Sequence, residues 1–210
     1  IHQCISDFEH VLQNGMTLLC WPQRHLHGLE FGLYLKGGPL YETEETQGIS
    51  NLLEHLCFRG LGGLNREGLL RELNRFGTNL DAATYAEGLV FRLKCLPRFF
   101  DAALEYFLRF FANVAWTPEQ IAAERQVVLR QLEADGDGDL FDRAACDFRK
   151  TENGAFPPLG TPESLMALTE ADIQLWQEMI FQPQNACLVM TGNFSDGMEL
   201  AAIEALSELR

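Results

Sequence analysis

The order of two hydrophobic periodicities along the chain is the feature that most limits how it can fold. Residues 29–36 (LEFGLYLK) alternate apolar side chains with polar or small ones, as a β-strand does, and Gly37-Gly38-Pro39 ends the run. Over residues 47–60 the apolar positions instead recur at the spacing of one helix face. The change of period predicts a strand that is followed directly by a buried helix.

Further strands are predicted near both ends and in the middle of the chain. Asn14-Gly15, a dipeptide that readily adopts positive φ, lies between two β-prone runs and predicts a hairpin. A second hairpin is predicted around Ala86-Glu87-Gly88. The predicted strands are residues 8–12, 16–21, 29–36, 79–85, 89–95 and 185–192.

The predicted helices have clear start signals. Asn65, Thr117 and Thr169 are residue types that cap helix N-termini, and Pro118 takes the first helical position after Thr117. Besides residues 47–60, the predicted helices are residues 65–76, 99–111, 117–134, 140–150, 169–181 and 198–209.

Strands at the beginning, in the middle and near the end, with helices between them, predict an α+β fold rather than a repeated βαβ array. We expect a two-layer α/β domain in which a mixed or antiparallel sheet is covered by helices. A chain of 210 residues is long enough for one substantial core. We therefore predict a single domain over residues 1–210.

Composition excludes some classes of partner. The formal net charge of -14, with the Lys and Arg residues scattered along the chain, disfavours binding to nucleic acid. No apolar run approaches the length of a membrane-spanning helix, so we expect no membrane partner. The cysteines lie far apart and form no C-x-x-C pair, which favours free thiols in a reducing compartment and predicts a cytoplasmic location. They are Cys4, Cys20, Cys57, Cys95, Cys146 and Cys187.

One helix carries the residues with the clearest chemical meaning. Asn51, Glu54 and His55 are spaced so that their side chains converge on one helix face. This is the geometry of the H-x-x-E-H motif, in which two histidines hold zinc and the glutamate is the general base for the metal-bound water. Asn51 stands at the place of the first histidine. A Glu-His pair on an apolar helix is weak evidence by itself, because a core histidine with a nearby ionic partner is the usual explanation.

A second helix supplies the context. Within residues 124–131 (ERQVVLRQ), Glu124 and Gln131 lie two turns apart on the same face. Together the two helices resemble those of the insulinase/pitrilysin family, inverzincin metallopeptidases whose second active-site helix reads E-R-x-V-V-x-x-E. The resemblance covers nearly the whole chain, and its other segments are Gly37-Gly38 with Glu42, residues 77–84 (GTNLDAAT), residues 158–165 and residues 184–194.

The resemblance implies a fold and a role for each matching residue. The fold is a sheet-plus-helices domain of the processing-peptidase metallohydrolase type, and residues 1–210 would be its N-terminal-type copy, with the second homologous domain absent from this chain. Glu54 would be the remnant base, His55 the remaining zinc ligand and Glu124 the acid that supports the ligands. Asn51 and Gln131 replace the histidine and the glutamate that would be the other two ligands.

We therefore expect no catalytic zinc and no other cofactor. Catalytic zinc takes three nitrogen, sulfur or carboxylate ligands, and neutral amide oxygens are poor donors for it. If a well-formed site contributes about 10–16 kcal/mol, each ligand supplies roughly 3–4 kcal/mol, and losing two weakens binding by at least about four orders of magnitude. Glu133 and Cys57 point away from the site on their helices. His25 and His27 form an H-x-H pair in a predicted turn, where exposed loop histidines are the favoured interpretation, and His2 and His10 give no pattern.

Residues 79–84 resemble the family's substrate-binding strand. The resemblance implies that an extended peptide adds to this edge strand through backbone groups, which survive changes of side chain. An edge that is merely covered by a neighbouring domain is an equal alternative. The positions concerned are Asn79, Asp81, Ala82 and Thr84, with Asp81 at the place of a family asparagine.

These patterns lead to one functional hypothesis and two alternatives. The hypothesis is a noncatalytic subunit or domain that pairs with a catalytically active homologous zinc peptidase and helps to enclose and bind an extended peptide substrate. The first alternative is an active zinc-dependent endopeptidase with an unusual metal site, and the second is a scaffold domain within a longer chain. The replaced ligands favour an inactive protein, but the sequence leaves the question of enzyme activity open. The acidic surface would attract basic peptides, although acidic charge more often serves solubility alone.

Overall fold

The computed structural model describes residues 8–78, 80–112, 114–134 and 156–209. The predicted helix at residues 140–150 and Asn79 of the predicted substrate strand lie outside these ranges. The strands in the described ranges are β1 (Glu9–Val11), β2 (Thr17–Pro22), β3 (Leu29–Lys36), β4 (Gly60–Leu61), β5 (Leu64–Asn65), β6 (Leu80–Tyr85), β7 (Gly88–Cys95) and β8 (Ala186–Gly192). The α-helices are α1 (Ile49–Cys57), α2 (Arg66–Phe76), α3 (Phe100–Leu108), α4 (Pro118–Ala134), α5 (Pro162–Ala167), α6 (Glu170–Ile180) and α7 (Asp196–Ser207).

Six strands form one mixed sheet in the order β1-β2-β8-β3-β7-β6. Neighbouring strands are antiparallel except β2 and β8, which run parallel from the pair Thr17↔Cys187 to the pair Pro22↔Gly192. The two predicted hairpins, β1-β2 and β6-β7, lie at opposite ends of this sheet, and β6 is an edge strand. The α+β fold with a mixed sheet is confirmed.

Helices cover one face of the sheet. The odd-numbered residues of β3 from Leu29 to Leu35 are at most 1% exposed, whereas Tyr34 is 45% exposed. Because successive residues of a strand point to opposite faces, the buried set faces the helices and Tyr34 faces away from them. Phe31 packs against Phe100 of α3, with ring centroids 5.9 Å apart. The main core therefore fills one layer between the sheet and the helices, in agreement with the predicted two-layer domain.

The start of helix α1 is determined by the loop before it. The carboxylate of Glu42 accepts hydrogen bonds from the backbone N–H groups of Gly48 (2.8 Å) and Ser50 (3.0 Å), which have no partner inside the helix. Gly48 has a φ of 83°, and a Cβ atom there would lie 2.7 Å from the carbonyl oxygen of Leu159. Only glycine satisfies both the dihedral angle and the close approach. Helix α1 packs against β6 and against α4.

The helix caps predicted at Asn65, Thr117 and Thr169 are confirmed. Other bounds differ from the prediction, since α1 begins at Ile49 rather than at residue 47 and α7 begins at Asp196 rather than at residue 198. The side chain of Asn65 accepts a hydrogen bond of 2.9 Å from the N–H of Gly68, and Thr169 caps α6 in the same way. Helix α3 ends at Leu108 and continues as a 3-10 turn over residues 109–111, where the sequence predicted α-helix. The ribbon β4-β5 was not predicted, because strands of two residues are too short to show a period.

The described part of the chain contains four free cysteines, which are Cys20, Cys57, Cys95 and Cys187. This agrees with the wide spacing of the cysteines in the sequence. The cytoplasmic location stays a prediction. Within the described ranges, every helix is too short or too polar to cross a lipid bilayer.

Candidate functional site

Three residues of α1, namely Asn51, Glu54 and His55, form the centre of the candidate site. The helix that their spacing predicted is present, so their side chains share one face. Asn51 and Glu54 are each 8% exposed, while 18% of the His55 side chain is exposed. All residues of α1 except His55 are buried. A ligand would therefore reach α1 at His55.

Helix α4 places Glu124 against His55. The Nδ1 atom of His55 lies 3.3 Å from Oε2 of Glu124, and Nε of Arg59 donates a hydrogen bond to Oε1 of the same carboxylate. Burial by itself would raise the pKa of Glu124. The hydrogen bonds from His55 and Arg59, with the charge of Arg59, outweigh burial, so the pKa of Glu124 lies below its ordinary value.

Glu54 contacts the opposite side of the site, where strand β6 lies. The hydroxyl of Thr84 donates a hydrogen bond to Oε2 of Glu54. Burial raises the pKa of Glu54, and the hydrogen bond from Thr84 opposes this only in part. A raised pKa means that the carboxylate binds a proton more readily than an ordinary glutamate does. Glu54 thus retains a property that a general base needs.

The register of β6 divides the residues of the predicted substrate strand between the two faces of the sheet. Asp81 pairs with Arg92 of β7, and Ala82 pairs with Phe91. Because Phe91 is buried in the core, Ala82 and Thr84 face the helices. Asp81 faces the other way, and its Oδ2 atom lies 3.6 Å from Nη2 of Arg92. The side chain of Asp81 is therefore not part of the site around α1.

Asn51 occupies the place of the first zinc-ligating histidine that the resemblance implies. Its Oδ1 atom is buried, and no described group donates a hydrogen bond to it. Leaving a buried polar atom without a partner costs about 1–3 kcal/mol. This oxygen cannot replace an imidazole nitrogen as a zinc ligand, because neutral amide oxygens bind zinc weakly.

Gln131 occupies the place of the implied third ligand and is exposed on α4. It lies two turns after Glu124 on the same helix. No hydrogen bond between the Gln131 side chain and α1 is present among the described residues. Glu133, whose helical spacing predicted that it points away from the site, is also exposed and lies two residues after Gln131.

This set of donors does not fit a catalytic zinc ion. His55 keeps a carboxylate on one ring nitrogen, as metal-ligating histidines usually do. The other two ligand positions hold neutral amides: Asn51 with its orphaned oxygen, and Gln131 in solvent. Three nitrogen, sulfur or carboxylate donors are the usual minimum for catalytic zinc. We therefore derive no zinc-dependent step for this site.

The structure adds two features that the sequence patterns did not single out. Arg59 lies in the turn after α1, four residues after His55, and this spacing is the signal that could have indicated it. The contact between Thr84 and Glu54 joins residues that are 30 positions apart. No local pattern reveals a contact of that kind.

Comparison with known proteins supports the resemblance. The family model described as Insulinase (Peptidase family M16) matches residues 27–145, more than half of the chain, and this range includes both α1 and α4. An uncharacterized zinc protease of Rickettsia felis is 26% identical over 198 residues, which are 93% of this chain and 48% of that protein. The beta subunit of the mitochondrial-processing peptidase of Caenorhabditis elegans is 27% identical over 146 residues, which are 68% of this chain and 32% of that protein. The chain thus spans about half or less of these relatives.

A solved structure has the same fold. The chain matches the peptidase M16 inactive domain from Pseudomonas fluorescens with a TM-score of 0.82 and 16% sequence identity, over 95% of this chain and 49% of that one. At such an identity the likeness concerns the fold alone. The match of the family model, which spans both helices of the candidate site, goes further: this chain belongs to the insulinase family, peptidase family M16.

Proposed function

We propose that this domain is a noncatalytic member of the insulinase family that pairs with a catalytically active homologous subunit or domain and helps to enclose and bind an extended peptide substrate. The proposal rests on the residues that occupy two of the implied zinc-ligand positions. Asn51 presents an orphaned amide oxygen where a histidine is implied, and Gln131 is exposed where a glutamate is implied. Without a metal, Glu54 has no activated water from which to take a proton.

Peptide binding is supported by the position of strand β6. It is the last strand of the sheet, and no described strand pairs with its outer edge. Outward backbone N–H and C=O groups at such an edge can accept an extended peptide as a further strand. Thr84 and Ala82 bring the edge next to α1, so a bound peptide would pass beside the candidate site. The formal charge of -14 favours peptides that carry basic residues.

Pairing with a second homologous domain is supported by the uncovered face of the sheet. Large apolar side chains lie exposed on this face, where no described helix packs, and they offer apolar surface that a second domain could cover. They are Val11 (70% exposed), Trp21 (49%), Tyr34 (45%) and Tyr85 (52%). The relatives are about twice as long as this chain or longer, and their additional length is sufficient for a second domain. One relative is named as a subunit, which agrees with a paired assembly.

The alternative function is an active zinc endopeptidase with an unusual site. It is favoured by the raised pKa of the Glu54 carboxyl and by the retained contact between His55 and Glu124. It requires donors from outside the described residues to complete the metal position.

Metal analysis separates the two functions. The domain is purified without a histidine tag, dialysed against zinc and freed of loosely bound metal, and zinc is measured in the wild type and in His55→Ala. We expect the same zinc content in both proteins. Loss of about one equivalent of zinc on His55→Ala, together with zinc-dependent cleavage of a peptide that mass spectrometry detects, would establish the alternative.

Peptide binding is tested with an extended, arginine-containing peptide and with versions that carry single N-methyl groups at successive residues. If the peptide adds to β6, alternate N-methyl groups remove binding in fluorescence anisotropy, because only every second N–H points at the strand. The intervening N-methyl peptides should bind as the parent does. If the affinity does not depend on the position of the methyl group, strand addition is excluded.

A further inference from the structure

A second group of potential ligand side chains lies far from α1. The ligating atoms of His10, Cys20 and Glu199 all lie within 4.8 Å of one another. They come from β1, β2 and α7, at the end of the sheet opposite to β6. Four strand spacings of about 4.8 Å separate β2 from β6, so the two sites lie on the order of 20 Å apart. The cluster is thus independent of the candidate site and of the proposed function.

The strand register explains why the three side chains meet. His10 of β1 lies opposite Leu18 of β2, and Cys20 follows Leu18 by two residues. Residues at such diagonal positions share one face of the sheet. Leu18 and Cys20 are 0% and 1% exposed, so this is the face that the helices cover. Glu199 lies in the first turn of α7, and its Oε1 atom is 2.8 Å from Nε2 of His10.

The three side chains differ in burial, from Cys20 in the core to His10 and Glu199 near the surface. Cys20 lies in the core, whereas the side chains of His10 and Glu199 are 33% and 23% exposed. An ion could therefore enter from solvent past the imidazole and the carboxylate and meet the sulfur at the bottom. Burial, with a smaller contribution from the charge of Glu199, raises the pKa of the Cys20 thiol to about 12. The thiol consequently keeps its proton at neutral pH unless a cation replaces it.

We propose that His10, Cys20 and Glu199 bind a divalent transition-metal ion of the zinc type, which holds α7 against the β1-β2 hairpin. An imidazole nitrogen, a thiolate and a carboxylate are the three kinds of donor that zinc takes, and calcium and magnesium prefer oxygen alone. Bonds of about 2.0–2.3 Å in a tetrahedron place ligand atoms roughly 3.3–3.8 Å apart, so small rotations of the side chains suffice. A water molecule would complete the coordination. On binding, the metal–sulfur bond replaces the S–H bond, and the proton passes to solvent. The imidazole binds in its neutral form through the ring nitrogen that carries no proton, so the hydrogen bond between His10 and Glu199 is exchanged for bonds from both side chains to the metal.

The position of the cluster explains what an ion would stabilise. Helix α7 already contacts the hairpin through Asn14, whose Nδ2 atom donates to the carbonyl oxygens of Leu206 (2.8 Å) and Leu209 (3.1 Å). Those bonds hold the C-terminal end of the helix. A metal at Glu199 would hold its first turn, so that both ends of α7 are tied to β1 and β2.

The test uses Co²⁺ as a spectroscopic probe and Zn²⁺ as a competitor on the reduced, full chain. A cobalt–thiolate bond gives a charge-transfer band in the near ultraviolet, and tetrahedral Co²⁺ gives strong visible bands. We expect both bands at about one equivalent of Co²⁺ and their loss when Zn²⁺ is added. Cys20→Ser should remove the thiolate band, whereas Cys95→Ser, a matched change of another buried thiol, and His55→Ala should keep it.

Two further variants keep the result interpretable if Cys20→Ser fails to fold. His10→Asn and Glu199→Gln alter partly exposed ligands, and each should weaken cobalt binding at least about tenfold. Zinc should raise the Tm of the wild type and of Cys95→Ser but not of these two variants. The proposal is overturned if folded wild type shows no thiolate band, or if His10→Asn and Glu199→Gln bind cobalt as tightly as wild type. In either case the cluster is an ordinary ion pair packed on a buried thiol.

Discussion

The hydroxyl of Thr84 donates a hydrogen bond to the carboxylate of Glu54, so the edge strand β6 and the helix that carries the family's metal motif are joined by their side chains. On the other side of the site, His55 is joined to α4 through Glu124. Both links engage residues to which the family motif assigns a part in metal chemistry.

Replacing Glu54 with Gln tests the burial of its charge. Burial raises the pKa of Glu54 in the folded state, so as pH increases the unfolded chain loses its proton first and stability falls. The penalty is complete above the folded pKa and absent below about pH 4, near the unfolded value. We expect Glu54→Gln to be more stable than wild type at pH 7 and equal to it at low pH. Urea unfolding at both pH values measures this, and exposed Glu133→Gln should show no such difference.

Replacing Glu124 with Gln should destabilise the domain at neutral pH. The variant leaves Arg59 and His55 without their carboxylate, and we expect a loss of about 1–3 kcal/mol, less than for a fully buried pair, because both partners keep some exposure. The pKa of Glu124 is lowered, so its stabilisation is present above the unfolded pKa and is lost as pH falls through the folded value. The difference from wild type should therefore shrink below about pH 4. A loss that is equal at pH 7 and at pH 3 would point to packing rather than charge.

Restoring the two ligands should restore zinc. The double variant Asn51→His with Gln131→Glu supplies an imidazole and a carboxylate at the two amide positions, and we expect zinc affinity to rise by at least about four orders of magnitude. Competition with a chromophoric chelator measures the affinity, and Cys20→Ser in the same background excludes the second cluster. Asn51→His alone should give a smaller gain. If the double variant binds no more zinc than wild type, the assignment of Asn51 and Gln131 to ligand positions is wrong.

Replacing Glu42 with Ala should weaken the start of α1. The backbone N–H groups of Gly48 and Ser50 lose their acceptor in a buried place, and an unsatisfied buried donor costs about 1–3 kcal/mol. We expect Glu42→Ala to lose about 2–4 kcal/mol of unfolding free energy, since two donors are involved. Glu44→Ala, an exposed change in the same loop, should lose less than about 0.5 kcal/mol. Similar losses in the two variants would show that the cap does not stabilise α1.

Local patterns predicted most of the elements and the residues on α1. The alternation over β3 and the N-caps at Asn65 and Thr169 depend on neighbours in sequence, and the structure confirms them. The same patterns missed the ribbon β4-β5 and extended α3 too far, because short or irregular turns have no period to read.

The group formed by His10, Cys20 and Glu199 could not be predicted from the sequence. The sequence offered no metal pattern for His10, because its potential partners are 10 and 189 residues away. The strand register and the return of α7 bring them together, and neither can be derived from spacing along the chain.

Residue identity and helical spacing are local properties, so they were sufficient to predict the α+β class, the helix that bears Asn51, Glu54 and His55, and amides at two implied zinc-ligand positions. Contacts between distant residues became evident only in the folded protein: Glu124 with His55 and Arg59, Thr84 with Glu54, and Cys20 with His10 and Glu199. The same holds for the direction of Asp81, whose side chain lies on the other face of the sheet. These relationships depend on strand register and on the packing of distant elements, which are determined by burial of the whole core rather than by any one segment.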